Sequence, residues 1–244
     1  MSTSSPEKPW SLASKTAIVT GGSRGIGRAI AIHFARKGLE KIAITYASNS
    51  EAAQVTLDEC RRLGTIDILV NNAVLIDMKL YQPVDETTAD IFSQLMHGNV
   101  YSAMAVTTEC MAHFPPKGGR VINISSAAAK MGNPSPTFVY GATKAALESI
   151  TRSFAREFGV STGATFTSVS VGTTATEAFE AAKESVPEEY LNAQINEATA
   201  ARRIGTPEDI AYVVGFLASE EARWVNGASV SANGGMKEVL AALG

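Results

Sequence analysis

A chain of 244 residues with 45% hydrophobic and 18% charged side chains carries enough apolar volume for a packed core, which excludes a wholly disordered protein. Its 21 Lys and Arg against 24 Asp and Glu give a formal net charge of −3, which excludes nucleic-acid binding through bulk positive charge. The two cysteines, Cys60 and Cys110, lack the paired spacing of a zinc site and are too few for a disulfide scaffold, so no metal and a reducing, cytoplasmic setting are expected.

The opening MSTSSPEKPW is polar and holds prolines, with no apolar stretch of the kind a secretory signal needs. No apolar run reaches the roughly 20 residues that cross a bilayer, so no membrane partner is expected. Asn123-Ile124-Ser125 spells a glycosylation site but lies in an apolar run, and reads as a chance match. Residues 1–14 read as a flexible arm. No linker or repeat divides 15–244, which reads as one domain.

Along that domain, Thr16-Ala17-Ile18-Val19-Thr20 predicts a short buried strand, followed by GGSRGIG and a helix over 28–37 with Gly38 as its stop. Ile42 to Tyr46 predicts a second strand and 51–63 a helix. Asp67 to Asn71 predicts the next strand, 87–113 a long helix, and Arg120 to Ile124 a further strand. A helix over 140–158 and a strand over 165–171 follow. Thr206-Pro207 marks the start of one more helix, with Thr206 as N-cap, and Ala228 to Ala232 a last strand. Strands alternating with helices predict a doubly wound, Rossmann-like α/β fold with a parallel sheet.

The loop Thr20-Gly21-Gly22-Ser23-Arg24-Gly25-Ile26-Gly27 joins the first strand to the first helix. Glycines there let backbone approach a pyrophosphate, whose charge suits a helix N-terminus. Tyr140 and Lys144 stand four residues apart, on one face of a helix. An ammonium beside a phenol favours the phenolate, which would bring a side chain of ordinary pKa about 10 into the range of proton transfer. Ser125 and Ser126 end a strand, where open α/β sheets bind ligands, and a hydroxyl there can polarise a carbonyl. Asn99 sits in a helical stretch beside Gly98, where its propensity is poor and a local distortion is the alternative reading.

The TGxxxGxG spacing, Asn71-Asn72-Ala73 at a strand end, the set Asn99, Ser126, Tyr140 and Lys144, and RIGTPEDIA with NGASVSANGG together resemble the short-chain dehydrogenase/reductase family, from Thr16 to about Gly235. The resemblance implies hydride transfer between a nicotinamide and a carbonyl carbon, interconverting a ketone and a secondary alcohol. Tyr140 is then the proton donor. Lys144 lowers its pKa and binds the nicotinamide ribose, Ser126 (rather than Ser125) orients the carbonyl, and Asn99 completes a proton relay. Gly21, Ser23, Arg24, Gly25, Ile26, Gly27, Ser48, Asn72, Tyr140, Lys144, Thr174 and Thr176 are the implied cofactor contacts. A homodimer or homotetramer through the helices that follow Asn99 and Tyr140 is implied as well.

The second strand runs out through Thr45-Tyr46-Ala47-Ser48-Asn49-Ser50 with no carboxylate before Glu51, so nothing there repels a 2′-phosphate. With Arg24 in the glycine loop, this points to NADP(H), unless Arg24 makes a structural ion pair. Several features depart from the family. Near residues 64–66 a further outer strand and helix, roughly 25 residues, are missing. Val74 replaces the Gly of NNAG, Val171 a usual Pro, and Asn233 a frequent Asp. The missing unit leaves a second expectation open, a cofactor-binding or scaffold relative with weak or no activity. The Ala- and Glu-rich stretch 175–196 resembles the family's substrate lid, or is a plain amphipathic helix.

Overall fold

The computed structural model describes residues 10–46, 62–182 and 188–240. Six strands form its centre: Thr16–Val19 (β1), Lys41–Ile44 (β2), Ile68–Asn71 (β3), Arg120–Ser126 (β4), Thr165–Val171 (β5) and Ser229–Ala232 (β6). They pair in the order β2-β1-β3-β4-β5-β6, every pair parallel. β1, β3 and β5 are buried along their whole length, and β4 at all but its last residue. That burial is what helices on both faces of a parallel sheet require.

The helices are Gly25–Arg36 (α1), Ala89–Met96 (α2), Ser102–Met111 (α3), Phe138–Thr162 (α4), Glu177–Ala182 (α5), Glu188–Glu197 (α6), Pro207–Ala218 (α7) and Lys237–Leu240 (α8). Alternate strand residues point to opposite faces. Val19, Val70, Ile122 and Val169 therefore pack against Ile30 and Phe34 of α1 and Ile210, Val214 and Leu217 of α7. Their neighbours Ile18, Leu69, Val121 and Phe166 pack against Val106 and Cys110 of α3 and Phe154 and Phe158 of α4. Each fully buried large side chain contributes about 1.5–3 kcal/mol by leaving water. Thr206 and Asp209 cap α7 reciprocally, as the Thr-Pro start predicts.

β2 lies at the sheet edge, and only Ala43 of its four residues is buried. Among the described residues no strand lies beyond it, in keeping with the expected loss of an outer strand and helix. The helix expected over 51–63 falls mainly outside the described residues. Other expectations are corrected. Residues 10–14 are not loose: Leu12 is buried, Ala13 bridges to Leu39, and Lys37 Nζ lies 4.0 Å from the Trp10 ring centre. Burying Leu12 and Trp10 against α1 outweighs the polar character of the segment before them. The fourth strand runs on through Ser125 and Ser126 because β5 pairs with it to its end. Within the stretch 175–196 the described residues include α5 and the greater part of α6.

The helix expected over 87–113 is interrupted. α2 and α3 are joined by a π-helical turn, His97–Tyr101, with Asn99 inside it. A widened turn frees a backbone position and turns a polar side chain inward, and such turns gather at functional sites. The helix is thus locally distorted beside Gly98.

Candidate active site

In chain order β1 is followed outward by β2, while β3 returns to its other side, so the strand order reverses between β1 and β3. Ligands of open α/β sheets lie beyond the strand ends at such a point. The glycine loop leaves β1 there, Asn71-Asn72-Ala73 leaves β3, Ser126 ends β4, and Gly172 follows β5.

The loop has the shape a pyrophosphate needs. Gly25 opens α1 at φ +55°, and a Cβ on Gly27 would collide with the Gly21 carbonyl oxygen. Only glycine allows the backbone this close. Thr20 Oγ1 accepts hydrogen bonds from the N–H groups of Asn72 (2.9 Å) and Ala73 (3.0 Å), locking the β3 exit to the loop. Asn72 Nδ2 donates to the carbonyls of Thr20 (2.9 Å) and Gly21 (3.1 Å), so its side chain shapes the loop. Ser23 and Arg24 are exposed, and Arg24 makes no ion pair among the described residues, which leaves its guanidinium free for a phosphate. Ser48 lies outside the described residues. Ile26 packs against the core at the start of α1.

Thr174 is buried and donates to the Gly172 carbonyl at 2.9 Å, and its segment bridges to Gly205. Thr176 Oγ1 accepts from Phe179 N–H at 3.2 Å. A Cβ on Gly25 would lie 3.3 Å from Thr176 Cγ2, so the segment after β5 closes over the glycine loop. Thr176 thus lies against the glycine loop and Thr174 against Gly205, and both hydroxyls are engaged within their own segment.

The candidate proton-transfer residues come together at the end of β4. Tyr140 and Lys144 lie one turn apart on α4, with Lys144 Nζ 5.7 Å from the Tyr140 ring centre. The Ser126 hydroxyl lies near enough to the Tyr140 hydroxyl to favour its ionised form. The ammonium of Lys144 is buried and donates to the Ile124 carbonyl at 2.9 Å, and burial lowers its pKa from 10.5 to about 8. One expectation is corrected here. The phenol of Tyr140 lies above its ordinary range, not below it. Burial is the larger cause, and the nearby Ser126 hydroxyl acts against it. Desolvation penalises the phenolate more than its neighbours favour it.

Ser125 and Ser126 point to opposite faces of the strand. Ser125 donates to Glu148 Oε1 at 2.9 Å, as does Ser229 at 2.9 Å, while Glu148 Oε2 pairs with Lys130 at 3.1 Å. Glu148 is 4% exposed and ties the turn carrying Ser126 to the helix carrying Tyr140. Asn99 Oδ1 accepts from Leu75 N–H at 2.7 Å, while its Nδ2 is buried with no partner. A buried amide left so is a ready donor for a water or ligand atom. Asn71 donates to Thr107 (3.0 Å) and Asn123 (2.8 Å), and Asn123 to Thr151 (2.8 Å), which braces β3, β4, α3 and α4 behind the site. Asn123, the apparent glycosylation acceptor, is therefore inside the sheet.

Sequence reading missed three groups. Tyr81 places its ring 6.3 Å from that of Tyr140, and burial pushes its phenol well above the ordinary range. Glu148 and Lys130 form the buried pair just described. Glu177 reaches back to the glycine loop. An aromatic in the loop after β3 and an acid one turn beyond Lys144 were the only signals available.

Residues 15–63 match the family model for short chain dehydrogenases, and residues 51–237 the one described as enoyl-(acyl carrier protein) reductase. The short chain dehydrogenase asqE of Emericella nidulans is 51% identical over 268 residues, covering 97% of this chain and 99% of that protein. The chain belongs to the short-chain dehydrogenase/reductase family. Another dehydrogenase of the family, penD of Penicillium thymicola, is 48% identical over 268 residues, with 97% of each chain covered. The angucycline C-6 ketoreductase LanV, solved with bound NADP, aligns at a TM-score of 0.77 and 30% identity over 93% of this chain and 96% of its own. Because 97% of 244 residues is about 237, roughly 30 positions of the 268-residue asqE alignment face gaps in this dehydrogenase/reductase. The two family models overlap at 51–63, beside the expected loss. The chemistry-bearing residues of the family lie outside that loss, so the reading as an inactive scaffold relative is not favoured.

Proposed function

We propose that this enzyme uses NADP(H) to interconvert a ketone and a secondary alcohol, with Tyr140 giving and taking the proton. The observation that carries the reading is the meeting of Ser126, Tyr140 and Lys144 at the end of β4, beside the glycine loop. The nicotinamide group, when bound, supplies or accepts the hydride. The ketone oxygen lies between Ser126 Oγ and the Tyr140 hydroxyl. Ser126 polarises it, and Tyr140 protonates the developing alkoxide. A phenol held above its usual range stays protonated at neutral pH, which suits the reducing direction. The charge left on the phenolate is met by the Ser126 hydroxyl and the Lys144 ammonium. Asn99, with its free Nδ2, serves the relay that returns a proton.

Gly21, Ser23, Gly25, Ile26 and Gly27 cradle the pyrophosphate, Thr174 and Thr176 close over it, and Arg24 holds the 2′-phosphate. NADPH consumption against a panel of aliphatic and aromatic ketones tests the activity. Arg24→Ala should weaken NADPH binding about ten-fold and leave NADH binding within two-fold, since a charged hydrogen bond to phosphate contributes about 1.5–3 kcal/mol. Equal loss for both cofactors would remove Arg24 from 2′-phosphate recognition. We place the enzyme in the cytoplasm as a homodimer or homotetramer assembled through α3 and α4, and no described helix is long and apolar enough to cross a membrane. Light scattering on the purified chain checks the assembly, and a monomeric mass would overturn it.

A further inference from the structure

The first residue of α5, Glu177, reaches across to the start of α1. Its Oε2 accepts the Gly25 N–H at 2.8 Å, and its Oε1 pairs with Arg28 on the next turn of α1. Gly25 N–H is one of the donors that a helix leaves without intrahelical partners, and the positive end of the α1 dipole lies there. A carboxylate at this position presents the same chemistry as a phosphate oxygen: a charged acceptor aimed at the helix start. A hydrogen bond from its own N–H, the Gly25 N–H and the Arg28 guanidinium hold the carboxyl below its usual range, so it is ionised at neutral pH.

We propose that Glu177 competes with the cofactor pyrophosphate for the start of α1, so that the cofactor binds by displacing this carboxylate and releasing α5 from the glycine loop. The inference rests on the glycine loop being the cofactor site. The exchange is feasible because the contact is shallow. Side chains of Arg28 and Glu177 are 56% and 46% exposed, and ion pairs of that kind hold weakly. A pyrophosphate brings more charge and more acceptors to the same N–H groups. Because α5 follows the Gly172 loop beyond β5, displacement makes the position of this segment depend on whether the phosphate site is filled. A protein that spends part of its time with the site blocked binds its ligand more weakly by the fraction blocked.

Fluorescence titration with NADPH tests this in wild type, Glu177→Gln and Glu177→Ala. Both variants should bind about three- to ten-fold more tightly. Thermal shift should show a larger rise in Tm on adding NADPH to either variant than to wild type. Glu189→Gln, which removes the same charge from α6, should change the affinity less than two-fold. Unchanged or weaker binding in both Glu177 variants overturns the proposal, as does an equal gain in Glu189→Gln. Failure of the loop assignment looks different: wild type would not bind NADPH, or Arg24→Ala would leave its affinity untouched.

Discussion

Tyr140→Phe should lower turnover by at least about 10²–10⁴-fold while leaving the NADPH dissociation constant within two-fold. General acid–base groups contribute rate factors of that size. Phenylalanine keeps the ring that Lys144 and Tyr81 face and removes only the hydroxyl that Ser126 meets. The same variant tests direction. Alcohol oxidation needs the phenolate, and burial holds the Tyr140 pKa above its ordinary value. Wild-type oxidation should therefore climb as pH rises above neutral, and any residual oxidation by Tyr140→Phe should lose that climb. Steady-state rates in both directions across pH decide the matter. Near-normal turnover in the variant would take Tyr140 out of the mechanism.

Lys144→Met should abolish most turnover and yet stabilise the fold. In the folded protein Lys144 titrates at about 8, against 10.5 for the free side chain, because burial penalises its charge. The penalty is complete below about pH 8, where folded and unfolded chains both carry the proton. It is relieved between about 8 and 10.5, where only the unfolded chain binds it, so this group raises stability with pH across that window. A shift of this size corresponds to about 3 kcal/mol at pH 7. Losing the hydrogen bond to the Ile124 carbonyl returns about 1 kcal/mol, and methionine fills the space. A net gain of about 2 kcal/mol raises Tm by about 4–8 °C in a chain of this length. Calorimetry at pH 7 and pH 10 reads the result: the gain should be present at pH 7 and much reduced at pH 10. A lower Tm at pH 7 would contradict the desolvation argument. An active site that holds a destabilising charge trades stability for chemistry.

Much of the site was legible because its parts are local. The TGxxxGxG loop needs glycine for reasons of backbone alone, and Tyr140 and Lys144 share a face because a helix turns every 3.6 residues. The capped start of α7 is written in Thr206 and Pro207 in the same way. The missing outer unit was visible as a shortage of residues between two elements, and among the described residues β2 stands at the edge of the sheet. The end of β4 was less legible. Two consecutive serines look alike in sequence, and pairing with β5 carries the strand through both and turns them to opposite faces. Only then does Ser126 meet Tyr140 while Ser125 joins Glu148.

The sequence by itself determined the parallel α/β frame, the glycine loop and the Tyr140–Lys144 pair, since spacing within one element fixes those. Contacts between segments far apart in the chain belonged to the tertiary structure. Glu177 meets Gly25 across 152 positions, and Glu148 meets Ser229 across 81. The same holds for the pKa values, and this is why the expected lowering of Tyr140 became a raising. Spacing told which charge lies near the phenol. How much water the fold removes from both groups, the larger effect here, is decided only when the sheet and helices close around them.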